Sequence, residues 1–421
     1  MKLKRVKLHK KGVTYEGFIL PQSNEETIVL KLENGYNIGL SREGINIEEL
    51  GEVEVMKQAA EVSQEIGDIA ILSMGGTVCS RVEYKTGAVF PSTNPADLLR
   101  NLPELERITS FHTKSLFAML SEDMSPQHWA ISAEAVKDEI EKGVKGVVIL
   151  HGTDTMHYSS AALSYMLRDT PVPVVFVGAQ RSPDRPSTDA RLNILNAAYL
   201  AKEGPIAEVG ICMHATTNDT YCYFHPGTKV RKMHTSARAA FQSINTPPLA
   251  KADFSKELIE PLKEYKKRGE GKLKFDNRVS DNVALVYAYP GMKPKVLDSL
   301  ADYDGIVLAG TGLGHVSTDP FQVPYVKNVL PEIKALSDSG IPIVMSSQCI
   351  YGRVNLNVYT AGRLLQDAGV IGSDADWTPE AAYAKLCWVL GHEKDRKKIA
   401  KEMMAPIAGE ISSRSTIEEV D

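Results

Sequence analysis

The apolar positions from Gly67 onward fall into short runs that alternate with longer amphipathic stretches. These runs lack the apolar–polar alternation of a half-exposed strand, which is typical of strands buried on both faces of a parallel sheet. Glycine or polar residues follow each run, as in GDIAILSMGGT, GVKGVVILHGTDT, PVVFVGAQR and EVGICMHAT. The pattern predicts an α/β fold with ligand-binding residues at the carboxyl ends of its strands.

Residues 1–60 have a different texture, in which short runs rich in β-branched residues are separated by polar turns. Asn34-Gly35 is the kind of dipeptide that closes a two-residue hairpin, because both turn positions need a positive φ. This segment predicts a small all-β barrel of about five strands.

The rest of the chain divides into two α/β domains. Residues 67–260 are predicted to form the larger domain, which carries the active site. The charged stretch at 249–281 suits a surface linker, and residues 261–281 are predicted to join the two domains. Residues 282–421 predict a smaller α/β domain that ends in helices, because TPEAAYAKLCWVLG and the charged stretch after it suit helices.

Composition narrows the function. The 421 residues carry 48 basic and 53 acidic side chains, a net charge of −5, which disfavours general coating of nucleic acid. No long uncharged apolar run is present and no apolar core follows the basic N-terminus, so neither a membrane span nor a secretory signal is indicated. We expect a cytoplasmic protein. The five scattered cysteines form no CxxC pair, and we expect reduced thiols, with Cys349 in the core.

Two strand ends carry residues suited to catalysis. In Gly-Gly-Thr at 75–77, the glycines allow the backbone to approach a ligand and Thr77 adds a hydroxyl. A tight strand-to-loop turn is the alternative. In Thr-Asp-Thr at 153–155, an aspartate beside a threonine hydroxyl suits half of a proton relay, and capping of the next helix is the alternative.

A relay at 153–155 needs a base, and Lys229 and Lys232 are the nearest suitable side chains further along the chain. A lysine acts as a base only where burial lowers its pKa from about 10.4, and a nearby aspartate opposes that change. A solvated surface lysine is the alternative for both. The histidines lack metal-ligand spacing and no GxxxxGK[ST] run is present, so we expect neither a metal site nor a nucleotide site of that type.

Taken together, the motifs resemble the bacterial-type L-asparaginase and glutaminase-asparaginase family over residues 67–405. The motifs are GGT, Tyr84 in EYKTGAVF, SEDM at 121–124, HGTDT, GAQRSPDRPSTDARLN and Lys232 before MHTS. Each is weak alone, whereas their order, spacing and strand-end placement are specific in combination. The resemblance implies an asparaginase-like, two-lobe parallel-sheet fold and hydrolysis of side-chain amides.

The resemblance also assigns catalytic roles. Thr77 matches the family's first threonine nucleophile, and Tyr84 matches the mobile-loop tyrosine that assists it. Thr153, Asp154 and Lys232 match the second threonine, the aspartate and the lysine. A threonine hydroxyl would attack the amide carbon of glutamine or asparagine, Lys232 would take the proton, and Asp154 would stabilise the ammonium. Which threonine attacks is left open.

Substrate binding follows from the same resemblance. Ser121 and Glu122 match the pair that binds the α-carboxylate and α-amino groups of the substrate. Glu122 stands where many asparaginases carry glutamine, and its acid suits a cationic α-amino group. Backbone N–H groups near Gly76 or Thr153 are candidates to receive the oxyanion.

The N-terminal module is not part of a plain asparaginase, and its addition resembles the asparaginase-like, D-type subunits of the archaeal glutamyl-tRNA(Gln) amidotransferases. This resemblance implies a glutaminase that releases ammonia for a transamidating partner of the E type, which converts Glu-tRNA(Gln) to Gln-tRNA(Gln). No cofactor is expected in this chain, whereas ATP and Mg are expected in the partner. A homodimer within a heterotetramer is implied likewise. A free-standing cytoplasmic L-asparaginase and a non-catalytic tRNA- or partner-binding scaffold are the alternatives.

The cationic start of the module allows two interpretations. The basic residues between Lys2 and Lys11 suit a tRNA-facing patch. The glutamates between Glu25 and Glu54 make a charge-balanced, solvated surface an equal alternative, so no residue is assigned to tRNA.

Overall fold

A computed structural model describes residues 2–20, 23–32, 37–54, 67–75, 80–82, 89–91, 102–181 and 188–414. The strands are, in chain order, β1 (Lys2–Lys10), β2 (Val13–Ile19), β3 (Thr27–Leu32), β4 (Asn37–Ser41), β5 (Asn46–Glu54), β6 (Ile69–Gly75), β7 (Ser80–Val82), β8 (Val89–Pro91), β9 (Phe111–Met119), β10 (Gly146–Leu150), β11 (Leu167–Arg168), β12 (Val174–Val177), β13 (Val209–His214), β14 (Cys222–Pro226), β15 (Val230–Lys232), β16 (Phe241–Ser243), β17 (Ala250–Asp253), β18 (Leu258–Pro261), β19 (Lys274–Phe275), β20 (Val283–Tyr287), β21 (Gly305–Gly310) and β22 (Ile343–Ser347). The α-helices are α1 (Pro126–Glu141), α2 (Met156–Met166), α3 (Ala190–Glu203), α4 (Lys295–Asp298), α5 (Leu330–Asp338), α6 (Thr360–Asp367), α7 (Pro379–Leu390) and α8 (Arg396–Met404). Short 3-10 helices lie at Pro103–Arg107, Ser121–Asp123 and Phe254–Lys256.

The N-terminal module is an antiparallel sheet with the strand order β4-β3-β2-β1-β5. Alternate side chains of β1 and β3 point to one face, where Val6, Leu8, Ile28 and Leu30 form a small buried core. The predicted all-β module is thereby confirmed. The hairpin expected at Asn34-Gly35 lies outside the described residues.

Basic side chains of β1 pair with glutamates at the protein surface. Arg5 pairs with Glu16 at 2.8 Å and Lys4 pairs with Glu49 at 2.8 Å. His9 Nε2 lies 3.5 Å from Glu48 Oε2. These pairs support the interpretation of this strand as a charge-balanced surface.

The large sheet has the strand order β18-β17-β14-β13-β12-β10-β6-β9. Strands β13, β12, β10, β6 and β9 run parallel, and β14, β17 and β18 extend the sheet in antiparallel fashion. The strands β6, β10, β12 and β13 are buried along their whole length, as their continuous apolar runs predict. This arrangement confirms the α/β fold.

Part of the charged stretch at 249–281 belongs to the large sheet and is not a surface linker. Residues 250–253 and 258–261 form β17 and β18, the last two strands of the large sheet. Ala250 and Ala252 alternate with more polar neighbours and are fully buried, which is enough to seat β17 on the sheet despite the charges around it. The sheet therefore extends eleven residues past position 250.

The second sheet has the order β20-β21-β22, with all three strands parallel. One face and its helices form a separate core around Leu308, Ile333 and Leu365. Helix α7 instead contributes Trp388 and its apolar neighbours to the core that contains α2 of the larger domain. The two α/β regions thus share packed side chains.

The described cysteines differ in their exposure to solvent. Cys212, Cys222 and Cys387 are buried free thiols, as expected. The expectation that Cys349 lies in the core is wrong, because β22 ends at Ser347 and Cys349 is exposed in the turn beyond it. None of the helices in the described parts of the chain is both long and apolar enough to cross a membrane.

Candidate active site

The carboxyl ends of four neighbouring parallel strands converge on one edge of the large sheet. In the order β12-β10-β6-β9, these strands end at Val177, Leu150, Gly75 and Met119. The predicted motifs lie at these strand ends: GAQR follows β12, HGTDT follows β10, GGT begins at the last residue of β6, and the Ser-Glu-Asp segment comes after β9. Strand-end placement therefore brings the described parts of these motifs together.

Lys232 reaches this edge from the short strand β15. Its Nζ atom lies 2.8 Å from Thr153 Oγ1 and 2.7 Å from Asp154 Oδ1. The Lys232 side chain is 9% exposed, whereas the Asp154 side chain is 68% exposed. The lysine of this pair is therefore shielded from solvent, whereas the carboxylate is solvated. A neutral amine in this position would accept the proton of the Thr153 hydroxyl over the same distance.

Thr155 connects the 153–155 turn to the Ser121–Asp123 segment and does not cap the helix through its side chain. Its hydroxyl donates to the Ser121 carbonyl at 2.7 Å. Ser121 is buried and Glu122 is exposed. The structure thus places Ser121 directly against the 153–155 turn and leaves the carboxylate of Glu122 in solvent, where it is accessible to a ligand.

Two glycines allow this close packing. A Cβ atom on Gly152 would lie 2.7 Å from Ser121 Cβ, and one on Gly178 would lie 2.9 Å from Thr153 Cγ2. Real Cβ contacts are not this short, so any larger residue would displace Ser121 or Thr153. Glycine is therefore required at both positions for this geometry.

A buried relay orients the Gly152–Thr153 peptide. Trp129 Nε1 donates to Ser159 Oγ at 3.0 Å, Ser159 Oγ lies 2.8 Å from His151 Nε2, and His151 Nδ1 lies 2.6 Å from the Gly152 carbonyl. Complete burial lowers the pKa of His151 to about 4, so the ring is neutral at pH 7. Because the carbonyl can only accept, the proton sits on Nδ1 and Ser159 donates to Nε2.

This relay also fixes the direction of the Thr153 N–H group. A trans peptide directs its C=O and N–H in opposite directions, so the Thr153 N–H points away from the buried His151 ring. Among the described residues, no hydrogen bond from the Thr153 N–H is present. A backbone N–H in this orientation suits the binding of an oxyanion.

Asp189 organises the turn after β12. Its buried carboxylate accepts hydrogen bonds from the backbone N–H groups of Gln180 and Arg181, both at 3.0 Å, and from Asn193 Nδ2 at 3.1 Å. Sequence reasoning missed Asp189, because an aspartate before a helix looks like an ordinary N-cap. Sequence reasoning also missed Ser159, because no sequence pattern distinguishes it from other small helical residues.

Lys229, the other candidate base, does not reach the site. It is 2% exposed and pairs with Asp376 at 2.5 Å and with Ser412 at 2.9 Å. Burial lowers the pKa of Lys229, and the Asp376 carboxylate opposes that shift. The structure therefore selects Lys232 as the lysine beside Thr153.

Three predicted site residues, Gly76, Thr77 and Tyr84, lie outside the described residues. For Gly76 and Thr77 the nearest described position is Gly75, which is paired with Met119 at the ends of β6 and β9. The chain thus enters the 76–79 segment at the sheet edge that carries Ser121. In the described part of the chain, no group of three or more His, Cys, Asp and Glu side chains is arranged to hold a metal ion.

Family models match three stretches of the chain. They are the GatD N-terminal domain at residues 2–50, the Asparaginase, N-terminal model at 68–263 and the Glutaminase/Asparaginase C-terminal domain at 282–403. The D-type glutamyl-tRNA(Gln) amidotransferase subunit of Methanothermobacter thermautotrophicus is 48% identical over 98% of this chain and 94% of its own length. The chain belongs to the family of D-type glutamyl-tRNA(Gln) amidotransferase subunits. The family member from Pyrococcus furiosus is 47% identical over 95% of this chain and 91% of its own length.

Solved asparaginase structures share the fold of this family member. The thermostable L-asparaginase from Thermococcus kodakarensis superimposes with a TM-score of 0.72 at 32% identity, over 82% of this chain and 99% of its own. L-asparaginase I from Vibrio cholerae gives 0.69 at 30% identity, over 82% and 98%. The asparaginase-like fold is thereby confirmed, and the match at 2–50 accounts for the additional N-terminal module.

Proposed function

We propose that this chain is the ammonia-releasing glutaminase subunit of a tRNA-dependent amidotransferase, which converts Glu-tRNA(Gln) to Gln-tRNA(Gln). The observation that carries the catalytic part is the placement of Lys232 Nζ within 2.8 Å of Thr153 Oγ1 and 2.7 Å of Asp154 Oδ1. A hydroxyl, an amine and a carboxylate in this order suit activation of a threonine nucleophile.

In the proposed reaction, a threonine hydroxyl, Thr77 or Thr153, attacks the side-chain amide carbon of glutamine or asparagine. Its proton passes to the neutral Lys232 amine, directly or through Thr153, and Asp154 stabilises the ammonium that forms. The C–N bond then breaks, and the leaving nitrogen takes a proton and departs as ammonia. Water hydrolyses the resulting ester, which restores the hydroxyl and releases glutamate or aspartate.

Backbone groups supply the electrostatic part of catalysis. The Thr153 N–H, freed by the orientation of the Gly152 carbonyl toward His151, is proposed to bind the developing oxyanion together with an N–H near Gly76. Loss of one such donor typically costs about 3 kcal/mol in the transition state. Tyr84 is proposed to assist Thr77 from the segment after β7.

The substrate's α-carboxylate and α-amino groups are assigned to Ser121 and Glu122. Support comes from the contact between Thr155 and the Ser121 carbonyl, which holds this pair beside the catalytic turn. An exposed Glu122 carboxylate is suited to a cationic α-amino group, and it adds a charge that glutamine at this position would lack.

The partner is proposed to be a transamidating subunit of the E type, which would hold ATP and Mg and act on Glu-tRNA(Gln). Support comes from the names of the relatives and from the match to the GatD N-terminal domain at 2–50. Two copies of this chain within a heterotetramer and a cytoplasmic location are part of the same proposal. No cofactor is proposed for this chain.

The test measures ammonia release from glutamine and from asparagine by the purified chain, then with the transamidating subunit, ATP and Glu-tRNA(Gln). The proposal expects weak glutamine hydrolysis by the chain alone, a rise in the full mixture, and formation of Gln-tRNA(Gln). Strong asparagine hydrolysis that is indifferent to partner and tRNA would instead identify a free-standing asparaginase. Absence of hydrolysis in both conditions would identify a non-catalytic scaffold.

A further inference from the structure

The strand that carries Lys232 is short and cannot hold its position alone. Strand β15 pairs with β16 in a two-stranded sheet, through the three residue pairs from Val230↔Ser243 to Lys232↔Phe241. A two-stranded ribbon of this length is marginal in water, so contacts with other elements must fix its place.

Those contacts come largely from the C-terminal part of the chain. Hydrogen bonds join the segment at 228–245 to residues between 351 and 412: Thr228 Oγ1 to Ala408 O at 3.0 Å, Lys229 Nζ to Ser412 Oγ at 2.9 Å, Arg231 Nε to Glu380 Oε1 at 2.9 Å, and Gly352 N to Asn245 Oδ1 at 2.9 Å. The strand that carries Lys232 therefore belongs to the large domain by sequence, whereas residues of the smaller domain hold it in place.

Arg231 and Lys232 are consecutive residues of β15, so their side chains leave opposite faces of the strand. The face with Lys232 meets Thr153 and Asp154. The face with Arg231 meets Glu380, at the start of α7. The Glu380 side chain is 3% exposed and the Arg231 side chain is 26% exposed. An unpaired buried carboxylate is costly in free energy. The Glu380 carboxylate therefore holds the Arg231 side chain in one position.

Glu380 is also close to the catalytic turn from the other side. His157 lies on α2, three residues after Asp154. Its Nε2 atom is 3.9 Å from Glu380 Oε1. Burial lowers the pKa of His157 to about 4, so the ring is neutral at pH 7. Glu380 thus contacts Arg231 on β15, the strand that carries Lys232, and lies beside His157 on α2, the helix that follows the Thr153–Asp154 turn.

We propose that Glu380 is a positioning residue, which acts through Arg231 to hold the Lys232 amine against Thr153. This inference rests on the proposed role of Lys232 as the proton acceptor. Proton transfer depends steeply on the distance between donor and acceptor, whereas binding of the α-carboxylate and α-amino groups is assigned to Ser121 and Glu122 in the 3-10 helix after β9. Loss of the Glu380–Arg231 pair lowers kcat and leaves KM nearly unchanged.

The experiment compares Glu380→Gln, Arg231→Met, Arg231→Lys and the double variant Arg231→Met/Glu380→Gln, with glutamine as substrate in the full complex. Arg231→Met lowers kcat by about 10- to 100-fold with KM within about twofold, and Glu380→Gln lowers it less because the amide oxygen still accepts from Arg231. Arg231→Lys restores part of the loss. The double variant is no worse than Arg231→Met, since each residue acts through the other.

Tyr165→Phe is the matched control. Its hydroxyl donates to the Ala381 carbonyl at 3.2 Å, so it joins α2 to the residue after Glu380 through a bond that does not involve β15. Its removal leaves kcat at the wild-type value, while the thermal midpoint falls slightly. Circular dichroism and the thermal midpoint are measured for every variant, and Glu380→Gln keeps the test decisive if Arg231→Met does not fold.

Three results would overturn the inference. They are wild-type kcat in both Arg231→Met and Glu380→Gln when these variants are folded, equal effects on kcat and KM, or a Tyr165→Phe loss as large as that of Arg231→Met. Lys232→Met separates this failure from failure of the proposed function. If Lys232→Met is inactive while the Glu380 and Arg231 variants keep full kcat, only the positioning role is wrong. If Lys232→Met is active, the proposed catalytic site itself is wrong.

Discussion

The Nζ atom of Lys232 lies 2.8 Å from the hydroxyl oxygen of Thr153, although 79 residues separate them in sequence. The Lys232 side chain is mostly enclosed, and the exposed Asp154 carboxylate lies against its amine from the solvent side. This contact joins a strand end of the large sheet to a hairpin held by the C-terminal residues. It is the feature from which the expected consequences of substitution follow.

Replacing Lys232 should remove the proton acceptor. We expect Lys232→Met to lower ammonia release from glutamine by at least about 100-fold, the scale of general base catalysis, with an unchanged circular dichroism spectrum. Lys232→Arg should be equally inactive, because a guanidinium does not release its proton near neutral pH. Lys256→Met is the control, since Lys256 is 71% exposed and pairs with Asp253 at the far end of the sheet. Full activity of Lys232→Met would exclude this lysine from the chemistry.

The Thr153 hydroxyl is tested by an isosteric pair. Thr153→Val keeps the shape that packs on Gly178 and removes the oxygen that accepts from Lys232, so ammonia release should fall by at least about 100-fold. Thr153→Ser keeps the hydroxyl and should retain a measurable part of the activity. Equal activity of the two variants, measured at saturating glutamine, would show that the hydroxyl is dispensable.

Gly178→Ala tests the packing behind the catalytic turn. The new Cβ would lie 2.6 Å from Met156 Cε and 2.9 Å from Thr153 Cγ2, so Thr153 must move. We expect about 1–3 kcal/mol of destabilisation and at least about a tenfold loss of kcat. Gly39→Ala is the control, since its Cβ would meet Thr27 Cγ2 at an ordinary 3.6 Å. A Gly178→Ala enzyme with wild-type kcat would show that Thr153 need not occupy its present position.

Acid should destabilise the protein through its buried histidines. Burial lowers the pKa of His225 to about 3, against an ordinary value of 6.5. Between these values the unfolded chain binds a proton that the folded chain does not, so stability decreases as pH falls from 6.5, by up to about 1.4 kcal/mol per pH unit. Urea unfolding of wild type and His225→Gln at several pH values measures this effect. The variant should be less stable at pH 7.5 and show a shallower slope below pH 6.5; parallel curves would refute it.

The strand ends of the site were accessible to sequence reasoning, because each buried apolar run stops at the residue where its strand stops. The motif after β10 therefore made Thr153 and Asp154 candidates, and resemblance favoured Lys232 over Lys229. Periodicity alone does not separate the two lysines. Their side chains leave the hairpin toward different neighbours, and only the folded position of Asp376 shows that Lys229 is occupied elsewhere.

Other features depend on contacts that no local pattern encodes. The relay from Trp129 to Gly152 joins residues of two helices and a turn, and Ser159 has no distinguishing neighbours in sequence. Glu380 did carry a signal, since it is a charged residue in the otherwise apolar start of α7, and such a residue must find a partner when buried. The strands at 250–261 were missed because the sequence around them is charged. Burial of Ala250 and Ala252 is nevertheless enough to place β17 in the sheet.

The most direct test of the central claim follows the amide nitrogen. Glutamine labelled with 15N in its side-chain amide is supplied to this chain with the transamidating subunit, ATP and Glu-tRNA(Gln), and the Gln-tRNA(Gln) formed is analysed by mass spectrometry. We predict that the wild-type chain transfers the label, and that Lys232→Met transfers none yet still supports Gln-tRNA(Gln) formation when ammonium is added. Label transfer by Lys232→Met, or unlabelled product from the wild-type mixture, would contradict the account.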